Sequence, residues 1–202
     1  QWLTFIPFGV LTFSSPFAIL SFYRKHSGGL ALIHEDELLQ KIRDGDIASL
    51  DKLVAFYYPD ILRYCSWHTP NRQIAEDATQ DTFLKAVRHL DAYVHRGKFR
   101  AYLYKIAVNV CIDYSRKKTM EQLPDDLQEY DSQLERMESD TNFVWLLRDL
   151  PDEQREVVLL RFAHELKIRE ISEVINVPMR TVQSRLRSAL KRLKKDFDKE
   201  VR

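Results

Sequence analysis

From Ile33 to the end of the chain, apolar residues return every three or four positions, and no convincing run alternates with a period of two. That spacing lays one apolar stripe along each helix and leaves no strand to build a sheet, so the chain is expected to be all-α. Asp46 to about Trp67 carries Ile47, Leu50, Leu53, Val54, Tyr57, Ile61, Leu62 and Cys65 in this pattern, with a bend expected at Pro59. Thr69-Pro70-Asn71 reads as a turn. Residues 72–90 are expected to turn Ile74, Ala78, Phe83, Leu84, Val87 and Leu90 inward. Residues 98–118 do the same with Phe99, Leu103, Ile106, Ala107, Val110 and Tyr114. Four more helices are expected at 141–150, 152–163, 167–175 and about 179–201, the last long and basic. A chain of 202 residues suits one large domain or two small ones.

Charge divides the chain further. The formal net charge is only +1, which by itself points to no partner, yet residues 96–118 hold seven basic side chains and one acidic. Residues 119–140 hold one basic and eight acidic, and residues 178–195 hold seven basic and none acidic. Residues 119–140 are polar, contain Pro124 and lack a sustained apolar stripe, so they read as a self-repelling linker. Two cationic stretches flanking an acidic spacer suggest two contacts with one polyanion. The expected architecture is therefore two small helical domains joined by an acidic linker: 34–118, 119–140 and 141–202.

Residues 1–33 stand apart. Gln1 to Tyr23 carries no charge, and Arg24, Lys25 and His26 follow. Three readings stay open: an over-long reading frame with initiation near Leu30 or Leu32, a membrane anchor with its basic flank on the cytoplasmic side, or sequence added in cloning. The partner list includes a membrane only if residues 1–23 are an anchor. Cys65 and Cys111 make neither a metal-spacing pattern nor a disulfide framework, which reads as a reduced, cytoplasmic setting.

The stretch from Ile168 to Lys195 carries the clearest mechanism. Ile168, Ile171, Val174 and Ile175 give a short helix one buried face. Asn176-Val177-Pro178 breaks the chain tightly, Asn tolerating a left-handed backbone and Pro opening the next helix. Val182, Leu186, Ala189, Leu190 and Leu193 then bury a second helix, leaving Arg180, Thr181, Gln183, Ser184, Arg187, Ser188 and Lys191 outward. This is a helix-turn-helix, whose second helix can enter a DNA major groove. Arg187 can pair with guanine and Gln183 with adenine, while Arg192, Lys194 and Lys195 suit phosphates. A solvated basic helix is the plainer alternative, and DNA affinity without salt dependence would favour it.

The third helix has its own outward stripe of Tyr102, Lys105, Asn109, Asp113 and Arg116, flanked by Arg96, Lys98, Arg100, Lys117 and Lys118. Aromatic, basic and amide side chains together suit single-stranded nucleic acid, with rings stacking on bases and cations following the backbone. On the plainer reading, Tyr102 and Tyr104 finish a core edge.

Three stretches resemble the extracytoplasmic-function (ECF) sigma factors of bacterial RNA polymerase. They are Ile74 to Ala86, Phe99 to Asn109, and Glu170-Ile171-Ser172 through Val177-Pro178 to Thr181-Val182-Gln183-Ser184-Arg185-Leu186. The resemblance spans about residues 34–202 in the family's order. It implies that 34–118 docks on core RNA polymerase and opens the −10 element, and that 141–202 reads the −35 element. The linker would thread through the polymerase. By the same resemblance Asp77, Gln80, Asp81 and Phe83 match core-polymerase-binding positions, Asn109 matches a −10 specificity position, and the loop at 91–98 would hold a flipped base. With Arg100, Tyr102, Lys105, Asp113 and Arg116, Asn109 completes the implied −10 set. The family often has Trp where Tyr102 stands, and Gly at the positions of Asn176 and Arg180. An anti-sigma factor is a common partner of the family.

Nothing in the sequence suggests catalysis: there is no glycine-rich phosphate loop, no nucleophile elbow and no zinc spacing. His164-Glu165 lacks the second His of a zinc helix. No cofactor, metal or catalytic residue is expected. The rival binding reading is a helix-turn-helix regulator that acts without touching core polymerase, using 34–118 to sense or dimerise.

Overall fold

A computed structural model describes residues 35–91, 93, 98–121 and 146–200, with the side chains of 117–121 and 196–200 left out. The apolar leader 1–33, the linker 119–140 beyond Glu121, and most of the 91–98 loop lie outside the described residues, as does 141–145. All regular structure among the described residues is helical.

Four helices make the N-terminal module. Helix α1 (Glu35–Arg43) is fastened where the Tyr57 hydroxyl donates to Glu35. Gly45, at φ +90°, turns the chain in the left-handed region that favours glycine. Asp46 then caps α2 (Ile47–His68), accepting from Ala48 N at 3.0 Å and from the Ser49 hydroxyl at 2.6 Å. Helix α2 continues past Pro59 to His68. Asn71 caps α3 (Arg72–Arg88), accepting from Ile74 N at 2.9 Å. Helix α4 runs from Phe99 to Glu121.

Helix α3 buries Ala75, Ala78, Thr79, Thr82, Phe83 and Ala86. Small side chains let it approach α4 closely, and the two threonine hydroxyls are satisfied by donating to the carbonyls four residues back at 2.7 Å. This stripe corrects one sequence expectation. Leu84 and Val87 are not inward: they are 55% and 39% exposed, because Phe83 and Ala86 set the buried face and the residue after each points away. Ile47, also expected inward, stands at the exposed first turn of α2.

The C-terminal module begins with α5 (Asp152–Val158), which widens into a π-type turn over Leu159–Ala163, with His164 N donating to Leu159 O at 3.1 Å. Glu165, at φ 57°, reverses the chain into α6 (Ile168–Val174), and α7 (Met179–Glu200) follows.

The two modules are not separate bodies. Leu53, Tyr57, Ile61, Leu103, Tyr104 and Ala107 of the first share one buried apolar cluster with Val157, Leu160, Leu166, Ile171, Val174 and Val182 of the second. A smaller cluster of Leu147, Leu150, Val158, Leu159, Ala163, Ala189 and Leu193 supports α7 from beneath, with Trp67 of α2 packed against it.

Candidate nucleic-acid interface

The base of α7 is built by the turn before it. Asn176 adopts φ 53°, which Asn tolerates better than other non-glycine residues. The Ser172 hydroxyl donates to Val177 O at 2.6 Å, and Val177 N returns to Ser172 O at 3.2 Å. Pro178 then opens α7, its carbonyl accepting from Thr181 N at 2.9 Å and Val182 N at 3.1 Å. Asn176→Val should cost about 1–2 kcal/mol, the strain of a β-branched side chain in this region. Asn176→Gly should lie near zero, and thermal melts of the two variants would separate conformational strain from lost side-chain contacts.

Val182, Ala189 and Leu193 are buried and Leu186 and Leu190 half-buried, as their spacing predicts. Arg180, Gln183, Ser184, Arg187, Ser188 and Lys191 are exposed and Thr181 half-buried, so all seven share one outward face. Arg192, Lys194 and Lys195 are exposed beside it. Arg185 turns away from this face and reaches Glu153 of α5 at 2.7 Å, anchoring α7 to the module beneath.

The stripe on α4 is less uniform. Lys105, Asn109, Asp113 and Arg116 are exposed, Asn109 donating to Lys105 O at 3.0 Å and Asp113 lying 3.5 Å from Lys85. Tyr102 is half-buried. Its ring packs 4.5 Å from Tyr93 and 5.7 Å from Phe99, and its hydroxyl donates to Ala86 O of α3 at 3.1 Å. It thus edges the core while keeping a partly open face. Arg100 does not join the stripe: it points to the opposite side, pairing with Asp60 at 2.8 Å and approaching Glu165 of the other module at 4.0 Å.

On α3, Gln80 is exposed and Asp77 half-buried, within 3.4 Å of Gln73 Nε2. Asp81 is half-buried and accepts from the Tyr114 hydroxyl at 2.9 Å. Burial first, then that carboxylate, pushes the Tyr114 phenol up to about 12. Phe83 is buried, 6.2 Å from Tyr58, so the apolar surface that this end of α3 offers comes from Leu84 and Val87.

A polar seam between the modules escaped the sequence reading. Glu156 of α5 accepts from the Tyr64 hydroxyl at 2.8 Å and pairs with His68 Nε2 at 2.6 Å. His68 Nδ1 lies 2.7 Å from Tyr64 O. The Tyr104 hydroxyl and His164 Nδ1 are 2.6 Å apart in the core. Arg63 donates to Ala163 O at 2.8 Å, and Lys98 reaches Glu173 of α6 at 2.8 Å. Burial would lower His68, but the Glu156 charge and hydrogen bond outweigh it and hold the imidazole above its usual range. Burial likewise opposes ionisation of Glu156, yet the His68 charge brings it below the usual carboxylate range. His164 is held well below its ordinary value, first by burial and then by Arg63 and Arg100. These residues gave no motif, because the pairs that join the two modules lie sixty or more positions apart in the chain.

Among the described residues no three His, Cys, Asp or Glu side chains are grouped to hold a metal ion, and no helix is long and apolar enough to cross a membrane.

Comparison with known proteins extends this geometry. The Sigma-70 region 2 family matches residues 53–120, and the Sigma-70, region 4 family matches 145–193. The chain is 30% identical over 160 residues to the ECF RNA polymerase sigma factor SigM of Bacillus subtilis (strain 168), covering 76% of this chain and 98% of that one. It is 28% identical over 182 residues to SigW of the same organism, covering 79% and 94%. Among solved structures it resembles CnrH in complex with the cytosolic domain of CnrY, with a TM-score of 0.62, 22% identity and coverage of 80% and 95%. It also resembles RpoE in complex with the anti-sigma factor NepR from Bartonella quintana, with a TM-score of 0.58, 22% identity and coverage of 75% and 98%. These two likenesses speak to the fold.

Proposed function

From the membership of this chain in the ECF sigma factors, which direct RNA polymerase to promoters and are not enzymes, we propose a division of labour between its two modules. Residues 141–202 read the −35 element through Arg180, Thr181, Gln183, Ser184, Arg187, Ser188 and Lys191. Residues 34–118 dock on core polymerase through the α3 face and open the −10 element with the α4 stripe. The linker 119–140 tethers the two. The observation that carries this reading is the outward face of α7, free of acidic side chains from Arg180 to Lys195 and raised on a helix-turn-helix whose turn has the required left-handed residue.

On α4, Lys105, Asn109 and Arg116 supply cations and an amide to unpaired DNA, and the open face of the Tyr102 ring supplies stacking. Arg100, held by Asp60 of α2 within the same module, stands apart from that stripe. On α3, Gln80 and Asp77 offer polar and acidic contacts beside exposed Leu84 and Val87, a surface suited to a basic, partly apolar partner. Asp81 and Phe83 hold that surface from behind. An anti-sigma factor is a further proposed partner, in keeping with the complex named for RpoE and NepR.

The arrangement described here is a closed one. Elements centred roughly 25 base pairs apart lie about 85 Å along a duplex at about 3.4 Å per step. Two modules sharing a core, with a longest helix of 23 residues and so about 35 Å, cannot touch both at once. The modules must separate on the way to the promoter, exposing Tyr64 and Tyr104 on one side and Glu156, Leu160 and His164 on the other.

Run-off transcription with purified core polymerase tests the reading. Initiation should depend on this chain alone, whereas a regulator that avoids core polymerase would give no transcript without another sigma factor. Arg187→Ala should weaken promoter binding by about 1–3 kcal/mol and relax preference at one position, as loss of a bidentate base contact does. Lys194→Ala should weaken binding on every sequence alike and flatten the salt dependence. An Arg187→Ala protein with unchanged preference, measured by selection from a randomised −35 library, would show that α7 lies in the groove in another orientation.

A further inference from the structure

Cys65 and Cys111 stand 46 residues apart, but the fold sets α2 against α4 so that the Cys111 thiol donates to Cys65 Sγ at 3.8 Å. Both are free and buried. Cys65 has no exposed surface, but Cys111, against which it lies, is not sealed in. A cavity of about 330 Å³ between the two modules is lined by Cys111, Tyr64, His68 and Glu156, and its rim carries the exposed Ser115 and Arg116. A water molecule occupies about 30 Å³, so a molecule of two oxygen atoms has ample room to reach the Cys111 sulfur.

We propose that Cys65 and Cys111 are a modification site, an intramolecular dithiol that hydrogen peroxide entering this cavity converts to a disulfide. The reaction balances with peroxide as the only co-reactant. A thiolate of the pair attacks one peroxide oxygen. An S–O bond forms, the O–O bond breaks, and the departing hydroxide takes up the proton the thiol released, giving water. The second sulfur attacks the sulfenic sulfur. The S–S bond forms, the S–O bond breaks, and the second hydroxide leaves as water with the remaining thiol proton. Two thiols are oxidised and one peroxide is reduced to two waters.

Three features fit the pair to this chemistry. The sulfurs need to close from 3.8 Å to about 2.05 Å, and the cavity beside Cys111 leaves space for its side chain to turn. The Cys111 S–H, aided by the Thr79 hydroxyl and the nearby His68, draws the Cys65 thiol below its usual range against the effect of burial. The same hydrogen bond pushes Cys111 up. The pair thus keeps one proton readily lost: once Cys65 has released its own, the Cys111 S–H passes its proton along their hydrogen bond, so that the sulfur facing the cavity attacks and Cys65 resolves. The site also sits inside the seam between modules: Cys65 follows Tyr64 and precedes His68 by one turn of α2, and both of these hold Glu156.

The test is a thiol count on the full-length reduced chain after exposure to a small molar excess of hydrogen peroxide, with alkylation in denaturant and intact mass spectrometry. The expected result is joint loss of both thiols, a mass lower by about 2 Da, the size of two hydrogens, a monomeric product, and full recovery with dithiothreitol. Two alkylated cysteines after exposure, oxygen added to one cysteine while the other stays reduced, or a disulfide-linked dimer would each overturn it. In Cys65→Ser, Cys111 should stop at the sulfenic acid and be captured by dimedone. If that variant does not fold, the unmodified chain still decides. Neither readout depends on transcription, so the site and the promoter function stand or fall separately.

Discussion

Glu156→Ala should loosen the C-terminal module from the N-terminal one by roughly 2–4 kcal/mol, the cost of stripping one partner from a largely buried pair after allowing for its partial exposure. The carboxylate serves two groups of α2 at once, Tyr64 at 2.8 Å and His68 at 2.6 Å, and its side chain is 20% exposed. Its removal leaves the Tyr64 hydroxyl and the His68 imidazole facing a small void. Hydrogen exchange of the α6 amides should accelerate by roughly 30- to 700-fold, the same free energy read as an opening equilibrium. Glu156→Gln, which still accepts from Tyr64, should lose less. Unchanged exchange in Glu156→Ala would mean that the apolar cluster alone holds the modules together.

The same pair gives the closed arrangement a pH dependence with two edges. Glu156 is held below the usual carboxylate range, so its contribution is present above that range and disappears as pH falls through the lowered value. His68 is held above its usual 6.5, so its contribution is complete below 6.5 and disappears as pH rises through the raised value. His164 acts in the opposite sense. It is buried neutral against Tyr104, with Arg63 and Arg100 nearby, and its Nε2 has no hydrogen-bond partner. Protonating it favours separation as pH falls below 6.5. The closed state should therefore be tightest near and just above 6.5. In Glu156→Gln the loss on the alkaline side should vanish while the acid side remains, a difference visible in exchange rates measured across pH.

The helices were legible because each carries its own signal. The α7 face could be read from Arg180 to Lys195, since Val182, Ala189 and Leu193 fix which side is inward and the positions between them follow. Asn176 and Pro178 announced the turn by conformational preference alone. Helix α3 was read less well. Its buried stripe is made mostly of Ala and Thr rather than large apolar residues, so hydrophobicity pointed to Leu84 and Val87, which stay largely exposed. Arg100 looked like one cation among several, and only the fold reveals Asp60 beside it. The contact between modules had no local signature at all. Tyr64, Tyr104 and Leu160 are ordinary core residues by type, and nothing in their spacing says that the core they fill belongs to two modules. The paired cysteines were hidden for the same reason, since distance along the chain says little about distance across α2 and α4.

Ile171→Ala should be the most damaging single change in the C-terminal module, at about 2–5 kcal/mol for a fully buried aliphatic side chain cut to a methyl. Ile171 has no exposed surface and lies in the cluster shared by both modules. It also stands on α6, which carries the turn beneath α7, its amide bonded to Lys167 O at 2.9 Å and its carbonyl to Ile175 N at 3.0 Å. The cavity left behind is bordered by helices from both modules, and α6 is too short, at seven residues, to keep its place by backbone bonds alone. Ile171→Val removes one methylene and should cost about 0.5–1.5 kcal/mol. Denaturant melts of the two variants should therefore differ several-fold in destabilisation, with the larger loss accompanied by weaker −35 binding because α7 loses the platform that aims Gln183 and Arg187. If Ile171→Ala melted like the parent but bound DNA poorly, the effect would lie in the aim of α7 rather than in the core. If it bound normally despite a large loss of stability, α7 would be held mainly by Ala189, Leu193 and the Arg185–Glu153 pair on the α5 side.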